Sequence, residues 1–244
     1  MGEQTKVALI TGANKGIGFE TARQLGMHGV TILLASRDLG RGEAAAAKLK
    51  AEGLDVRAVK LDVDDPADYT AVAKLIEKDF GKLDILINNA GVLLDEKRSP
   101  ASATSQEVLR KTFDTNFFAV IALTQTLLPL LRKSDAGRIV NLSSILASNT
   151  LHATPGSFIY DAKTFAYDAS KAALNSFTIH LAHELKDTKI KVNSAHPGWV
   201  KTDMGGEGAQ LDIVTGAKTS VELATLQDSG PNGEFLHLGK PLPW

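Results

Sequence analysis

Seven short, nearly unbroken apolar runs recur along the chain: VALIT (7–11), TILLAS (31–36), VRAVKL (56–61), LDILIN (83–88), RIVNLS (138–143), IKVNSA (190–195) and EFLHL (234–238). A strand with one wet face alternates apolar and polar residues, so continuous runs of this length mark strands covered on both faces. Between them lie segments of helical length, about 16–28, 38–52, 65–80, 105–133 and 165–186. Some helix starts carry chemical marks. Asp65 followed by Pro66 pairs an N-cap with proline at the first helical position, and Thr104-Ser105-Gln106-Glu107 has capping-box spacing. Strand–helix alternation implies right-handed crossovers and an α/β fold, a doubly wound, seven-stranded parallel sheet with helices on both faces. The 244 residues suffice for one such domain and are short for two. Because no repeat, low-complexity tract or linker interrupts them, 1–244 reads as a single domain.

The first strand runs straight into TGANKGIGFETARQL, which places Gly12, Gly16 and Gly18 at a strand-to-helix junction. Glycines there permit a tight turn, close approach of backbone to a pyrophosphate and close helix–sheet packing, while the helix N-terminus offers free N–H groups to phosphate. The same glycines could serve a tight turn alone; the strand before and helix after favour a Rossmann-type dinucleotide site. At the end of the second strand an acidic residue would bind the ribose 2′-hydroxyl of NAD, but this chain has Ser36 and Arg37. Arg37 can pair with a 2′-phosphate and Lys15, in the glycine turn, can add a second positive charge, so NADP(H) is expected. The competing reading is that both are solvated surface cations. Asp38 reads as the cap of the next helix.

Bulk properties exclude several classes. A net charge of −1 gives no field for nucleic acid or an anionic membrane. The absence of cysteine removes disulfides, thiol nucleophiles and cysteine-based metal sites. No unbroken apolar run approaches the length of a membrane span, and VALI near the start is far too short for a signal peptide, so a cytoplasmic location is expected. HLAHE (180–184) has neither common zincin spacing, and no metal is expected. Asn141-Leu142-Ser143 matches a glycosylation sequon but falls in a strand expected to be buried.

The stretch FIYDAKTFAYDASKAALNSF (158–177) offers two tyrosine–lysine pairs, Tyr160 with Lys163 and Tyr167 with Lys171. Side chains on a helix lean toward its N-terminus, so Lys171 reaches back toward Tyr167. From Tyr167 onward Ala169, Ala173, Phe177, Leu181 and Leu185 form one stripe, whereas HATPGSF ahead of Tyr160 reads as loop. The proton-transfer pair is therefore Tyr167 with Lys171. An ammonium beside a phenol favours the phenolate and is expected to lower the tyrosine pKa.

The glycine turn, NNAG (88–91) and Tyr167-x3-Lys171, in this order, together with GRIVNLSS (137–144) and PGWVKTDM (197–204), resemble the short-chain dehydrogenase/reductase family. The likeness spans Val7 to about Leu238, and the glycine spacing is that of its compact members. It implies that Gly12, Asn14, Lys15, Gly16, Ile17 and Gly18 line the pyrophosphate and adenosine end of the cofactor. Asp62 and Val63 would border the adenine. Asn89, Ala90 and Gly91 would pass under the ribose, and Pro197, Gly198, Val200 and Thr202 would contact the nicotinamide end. Asn116, Ser144, Tyr167 and Lys171 would form a catalytic tetrad.

In that picture Lys171 also hydrogen-bonds the nicotinamide ribose and Asn116 holds a relay water, a role compatible with Asn116 also satisfying a backbone group within the helix packing. Ser144 would polarise the substrate carbonyl, with Ser143 as its rival because neighbouring strand residues face opposite ways. The resemblance points to a carbonyl reductase acting on small-molecule ketones or aldehydes. An alcohol dehydrogenase working in the oxidising direction and a non-catalytic dinucleotide-binding regulator are the alternatives. Ser144 and Tyr167 lie 23 positions apart, more than is usual in compact members. Monomeric carbonyl reductases are similar in carrying extra sequence there, which covers a face used in tetramers, so the choice between monomer and homo-oligomer stays open. Residues of about 202 to 215 are expected to form a lid. His196 reads as a satisfied strand-end histidine or a substrate contact, and Trp199 and Trp244 as possible walls of a substrate cleft.

Overall fold

The computed structural model describes residues 5–95 and 100–244. All seven expected strands form, at Val7–Ile10 (β1), Thr31–Ser36 (β2), Val56–Lys60 (β3), Ile85–Asn88 (β4), Arg138–Leu142 (β5), Lys191–Ala195 (β6) and Phe235–His237 (β7). They pair in parallel in the order β3-β2-β1-β4-β5-β6-β7. An eighth strand not anticipated from the sequence, Lys240–Pro241 (β8), closes the edge antiparallel to β7. Its two-residue turn is Leu238-Gly239, with φ of 47° and 72°. Both residues at positive φ is the demand of a hairpin turn usually met by Asn-Gly, and leucine there carries strain of about 1–2 kcal/mol.

The helices are Gly16–Met27 (α1), Leu39–Ala51 (α2), Pro66–Phe80 (α3), Gln106–Phe113 (α4), Ala119–Leu131 (α5), Asn149–Ala153 (α6), Phe165–Glu184 (α7) and Ile213–Ala224 (α8). The Asp65 and Asp38 carboxylates cap α3 and α2 as expected, accepting from the N–H groups of Ala67 and Arg41. The cap of α4 is Ser105, whose Oγ accepts from Val108 at 3.2 Å, one residue later than the capping-box reading at Thr104. Helix α8 was not anticipated: Gly216 sits inside it, and the expected lid ends at its Asp212 cap. A Cβ at Gly216 would lie 2.6 Å from a Val200 methyl, so the glycine lets α8 press against the strand-end loop.

Strand alternation divides the core. Val7, Leu9, Leu33 and Ile139 point to one face with Ile76 of α3, Leu123 and Leu127 of α5 and Leu181 of α7. Ala8, Ile10, Ile32 and Val140 point to the other with Leu25 of α1, Leu49 of α2 and Leu223 of α8. Both sheet faces are thus covered, which is why the runs are unbroken in hydrophobicity. Leu127 has no exposed surface; Leu127→Ala is expected to lower unfolding free energy by about 2–5 kcal/mol in denaturant titration.

The expected helix 105–133 is continuous from Gln106 to Leu131 but carries a π-turn at Asp114–Phe118. By length and composition it could cross a membrane, at mean hydropathy 1.3, although polar residues interrupt its apolar runs. Half of that window is buried, with its leucines in the core against α3 and α7. The chain order changes direction at β1, which has β2 on one side and β4 on the other. A crevice at such a switch point, outside the carboxyl ends of the strands, is where ligands bind in open α/β sheets.

Candidate active site

At the end of β1, Gly12 and Gly16 adopt φ of 62° and 60°. A Cβ on Gly18 would sit 2.5 Å from Asn89 Nδ2 and 2.9 Å from the Gly12 carbonyl, so only glycine fits. Asn89 Nδ2 donates to the carbonyls of Thr11 at 2.7 Å and Gly12 at 3.2 Å. In return Thr11 Oγ1 accepts from the N–H groups of Asn89 and Ala90, at 3.0 and 2.9 Å. The glycine turn and NNAG thus form one braced unit rather than two adjacent loops.

This unit floors a cleft of about 1020 Å³. Gly12, Asn14, Lys15, Gly16, Ile17, Gly18, Ser36, Arg37, Asp62, Val63, Asn89, Ala90, Gly91 and Thr202 all line it, fourteen positions expected from the sequence. Pro197 and Gly198, in the loop after β6, do not line it. Val200 is buried, its side chain turned to Gly216. The glycine cradle, its one side open to a cleft of that size, fits the pyrophosphate of a dinucleotide.

Two assigned groups are engaged within the protein. Ser36 Oγ is buried and donates to the Asp38 carbonyl at 2.8 Å. Lys15 Nζ spans the cleft to Asp203 at 2.6 Å, with both side chains largely exposed. Arg41, which sequence reading missed, joins Arg37 in the lining. The spacing Arg37-x3-Arg41 carries no signal for this, because Arg37 precedes the Asp38 cap and lies outside the helix.

Tyr167 stands in the first turn of α7 and Lys171 one turn on. Among the described residues the α7 N-cap, Thr164, makes no side-chain cap; Asp95 does this work from the loop after β4. Its carboxylate accepts from the N–H groups of Ala166 at 2.8 Å and of Tyr167 itself at 2.9 Å, so it fixes the backbone of the tyrosine directly. Nothing in the local pattern around Asp95 marks that partner, because the contact spans 72 positions. Lys171 Nζ lies 5.8 Å from the Tyr167 ring centroid and donates to the Leu142 carbonyl at 2.8 Å. A Cβ on Gly91 would be 3.4 Å from that nitrogen, so the ammonium sits under the NNAG turn and joins cleft to tyrosine.

Ser144, leaving β5, lies close enough to the phenol to lower its pKa, and its Oγ accepts from Leu146 N–H at 3.2 Å. Ser143 is buried with its hydroxyl unpartnered among the described residues. Of the two serines, Ser144 therefore faces the tyrosine.

Asn116 lies in the π-turn, with both amide hydrogens donated and its oxygen accepting one bond. Oδ1 accepts from Val92 N–H at 2.8 Å, while Nδ2 donates to the Val92 carbonyl at 2.8 Å and to Ser170 Oγ at 3.0 Å. These bonds satisfy the Val92 backbone, the packing role expected of Asn116, and leave Oδ1 a second lone pair.

Tyr160 falls in a turn before α7, with Lys163 Nζ 5.1 Å over its ring. Lys163 also meets His152 Nδ1 at 3.1 Å, and His152 Nε2 lies 3.3 Å from Asp168 in α7. The extra segment between Ser144 and Tyr167 thus docks onto the start of the helix that carries the tyrosine. Asn141 of the sequon is wholly buried and hydrogen-bonds Thr178 at 2.9 Å.

Burial decides the protonation states. It pushes the Tyr167 phenol up to about 12, with the Asp168 charge also raising it and the Ser144 hydroxyl pulling it down. It pushes the Lys171 ammonium down to about 8. The expected lowering of the tyrosine by the lysine is thereby corrected: desolvation prevails, and the phenol holds its proton at neutral pH. The sign for stability follows. Below about pH 8 both states hold the Lys171 proton; from there to the ordinary value of 10.5 only the unfolded chain does, so this group makes unfolding free energy rise with pH. The slope is at most about 1.4 kcal/mol per pH unit. Denaturant midpoints from pH 8 to 10 are expected to climb less in Lys171→Met than in the native chain, and parallel curves would contradict this assignment.

A doubly wound sheet with a glycine cradle at its switch point and a tyrosine–lysine pair beside it defines an oxidoreductase class. The chain belongs to the short chain dehydrogenase family, whose family model matches residues 6–210. It is 34% identical to carbonyl reductase [NADPH] 1 of Mus musculus, with both chains covered fully. To (+)-neomenthol dehydrogenase of Arabidopsis thaliana it is also 34% identical, over 96% of this chain and 97% of that one. The structure of NADPH-bound carbonyl reductase from chicken fatty liver superposes with a TM-score of 0.85 at 28% identity, covering 100% of this chain and 96% of that one.

Proposed function

We propose that this chain is an NADP(H)-dependent reductase of ketone or aldehyde carbonyls in small molecules. The observation that carries the reading is the junction at Lys171, which touches the cleft floor at Gly91 and Leu142 and faces the ring of Tyr167. A nicotinamide dinucleotide held in the cleft supplies the hydride. Arg37 and Arg41 would meet its 2′-phosphate, as would Lys15 on release from Asp203, with the glycine cradle on the pyrophosphate. The Pro197–Thr202 loop would border the nicotinamide. The names of the relatives, carbonyl reductase [NADPH] 1 and NADPH-bound carbonyl reductase, support this choice of cofactor.

Tyr167 donates its phenol proton to the carbonyl oxygen as negative charge develops there, and Ser144 hydrogen-bonds the same oxygen. Lys171 stabilises the phenolate left behind and can bind the ribose. Asn116 holds the NNAG loop against α7 through Val92 and Ser170, which keeps Lys171 beneath the cofactor site. A phenol kept protonated suits the acid of a carbonyl reduction. A non-catalytic regulator would have no chemical need for Ser144, Tyr167 and Lys171 together. Consumption of NADPH on addition of a panel of activated ketones and aldehydes tests the reading; none consumed by any compound would overturn it.

A further inference from the structure

His196, the residue after β6, has a use that neither the cofactor cradle nor the tetrad accounts for. Its Nδ1 receives two backbone donors from different segments, the N–H of Ile145 at 3.2 Å and that of Gly198 at 3.4 Å. Ile145 opens the 3₁₀ turn Ile145–Ala147, for which Ser144 is the cap. Gly198 belongs to the loop between β6 and the cleft residue Thr202, and its φ of 85° is open to glycine alone.

The histidine is itself held on two sides. Its N–H donates to the Leu236 carbonyl at 2.8 Å, and its own carbonyl accepts from Nδ1 of His237 at 2.8 Å. The His237 ring packs 4.9 Å from the His196 ring. The same ring limits Gly198, where a Cβ would lie 3.2 Å from His237 Cε1. A ring nitrogen that accepts carries no proton, so the Nε2–H tautomer is required. Burial, aided by the neighbouring His237, pushes the imidazole down to about 3, which keeps that acceptor available.

We propose that His196 is a positioning residue that ties the Ser144 turn to the Pro197–Gly198 loop, holding the carbonyl-polarising hydroxyl in register with the nicotinamide end of the cleft. This rests on the carbonyl-reductase reading for what the two segments do, but the tether itself is a matter of hydrogen bonding. An unpaired Ile145 N–H at the start of a short turn would be free to rotate, and a small misplacement of a polarising group is costly to turnover.

The test compares the native chain with His196→Leu, which fills space without an acceptor, and His196→Asn, whose Oδ1 can accept in place of Nδ1. His196→Leu is expected to lose about 10- to 100-fold in kcat for an activated ketone, with ketone KM and NADPH Kd within about threefold, and His196→Asn to recover most of that loss. Full kcat in His196→Leu, or equal losses in both variants, would overturn the tether. Nitrogen NMR of imidazole-labelled native protein at neutral pH is expected to show Nδ1 unprotonated, and a protonated Nδ1 would overturn it even if neither variant folds. If the native chain reduces no carbonyl compound the functional reading falls, and the tautomer still decides the tether.

Discussion

Tyr167→Phe is expected to cut kcat for carbonyl reduction by about 10²- to 10⁴-fold, while NADPH binds as it does to the native chain. The substitution removes one hydroxyl and keeps the ring that faces Lys171, so the cleft floor at Gly91 and Leu142 is untouched. Backbone position is also preserved, because Asp95 holds the N–H of residue 167 and not its side chain. The lost group is the proposed acid, a phenol that burial pushes up to about 12. Steady-state kinetics with a fluorescence titration of NADPH separate the two effects. Undiminished turnover would remove Tyr167 from the chemistry, and an equal loss of NADPH affinity would make it a binding residue.

The second large effect concerns the choice between cofactors. Arg37 and Arg41 both line the cleft, as does Asp38, whose carboxylate is engaged in capping α2 and lies 3.6 Å from Arg41 Nε. A charge-assisted contact to phosphate contributes about 1.5–3 kcal/mol, and about 1.4 kcal/mol is tenfold in affinity. Arg37→Ala is therefore expected to weaken NADPH binding by about 10- to 100-fold and leave NADH binding nearly unchanged, with the effect shrinking as salt is raised. Equal weakening of both cofactors would show that Arg37 shapes the cleft without reading the phosphate. Lys15 is expected to contribute less, since a phosphate must first displace Asp203 from it.

The strands and the cofactor cradle were legible because both rest on local constraints. Continuous apolar runs have no alternative burial in a chain of this length, and Gly18 admits no side chain beside Asn89. The placement of Tyr167 one turn before Lys171 on α7, with Tyr160 in the turn ahead of it, was legible for the same reason, since side-chain direction on a helix depends only on its polarity. What stayed hidden depends on distant partners. β8 forms around Leu238, whose positive φ has no composition signal, and α8 tolerates Gly216 because Val200 lies against it. Asp95 caps a helix 71 and 72 positions away. The direction of the Tyr167 shift reversed because burial is a tertiary quantity, whereas the i, i+4 spacing of the lysine is a local one.

The central claim is that the cleft and Tyr167 serve one reaction on a carbonyl. Mass spectrometry of the alcohol formed from an activated ketone and NADPH labelled with deuterium on both positions of the nicotinamide C4 tests it most directly. One deuterium on the carbinol carbon, at a rate that collapses in Tyr167→Phe, is the predicted result. NADPH bound in the cleft with no labelled alcohol from any ketone or aldehyde would contradict it.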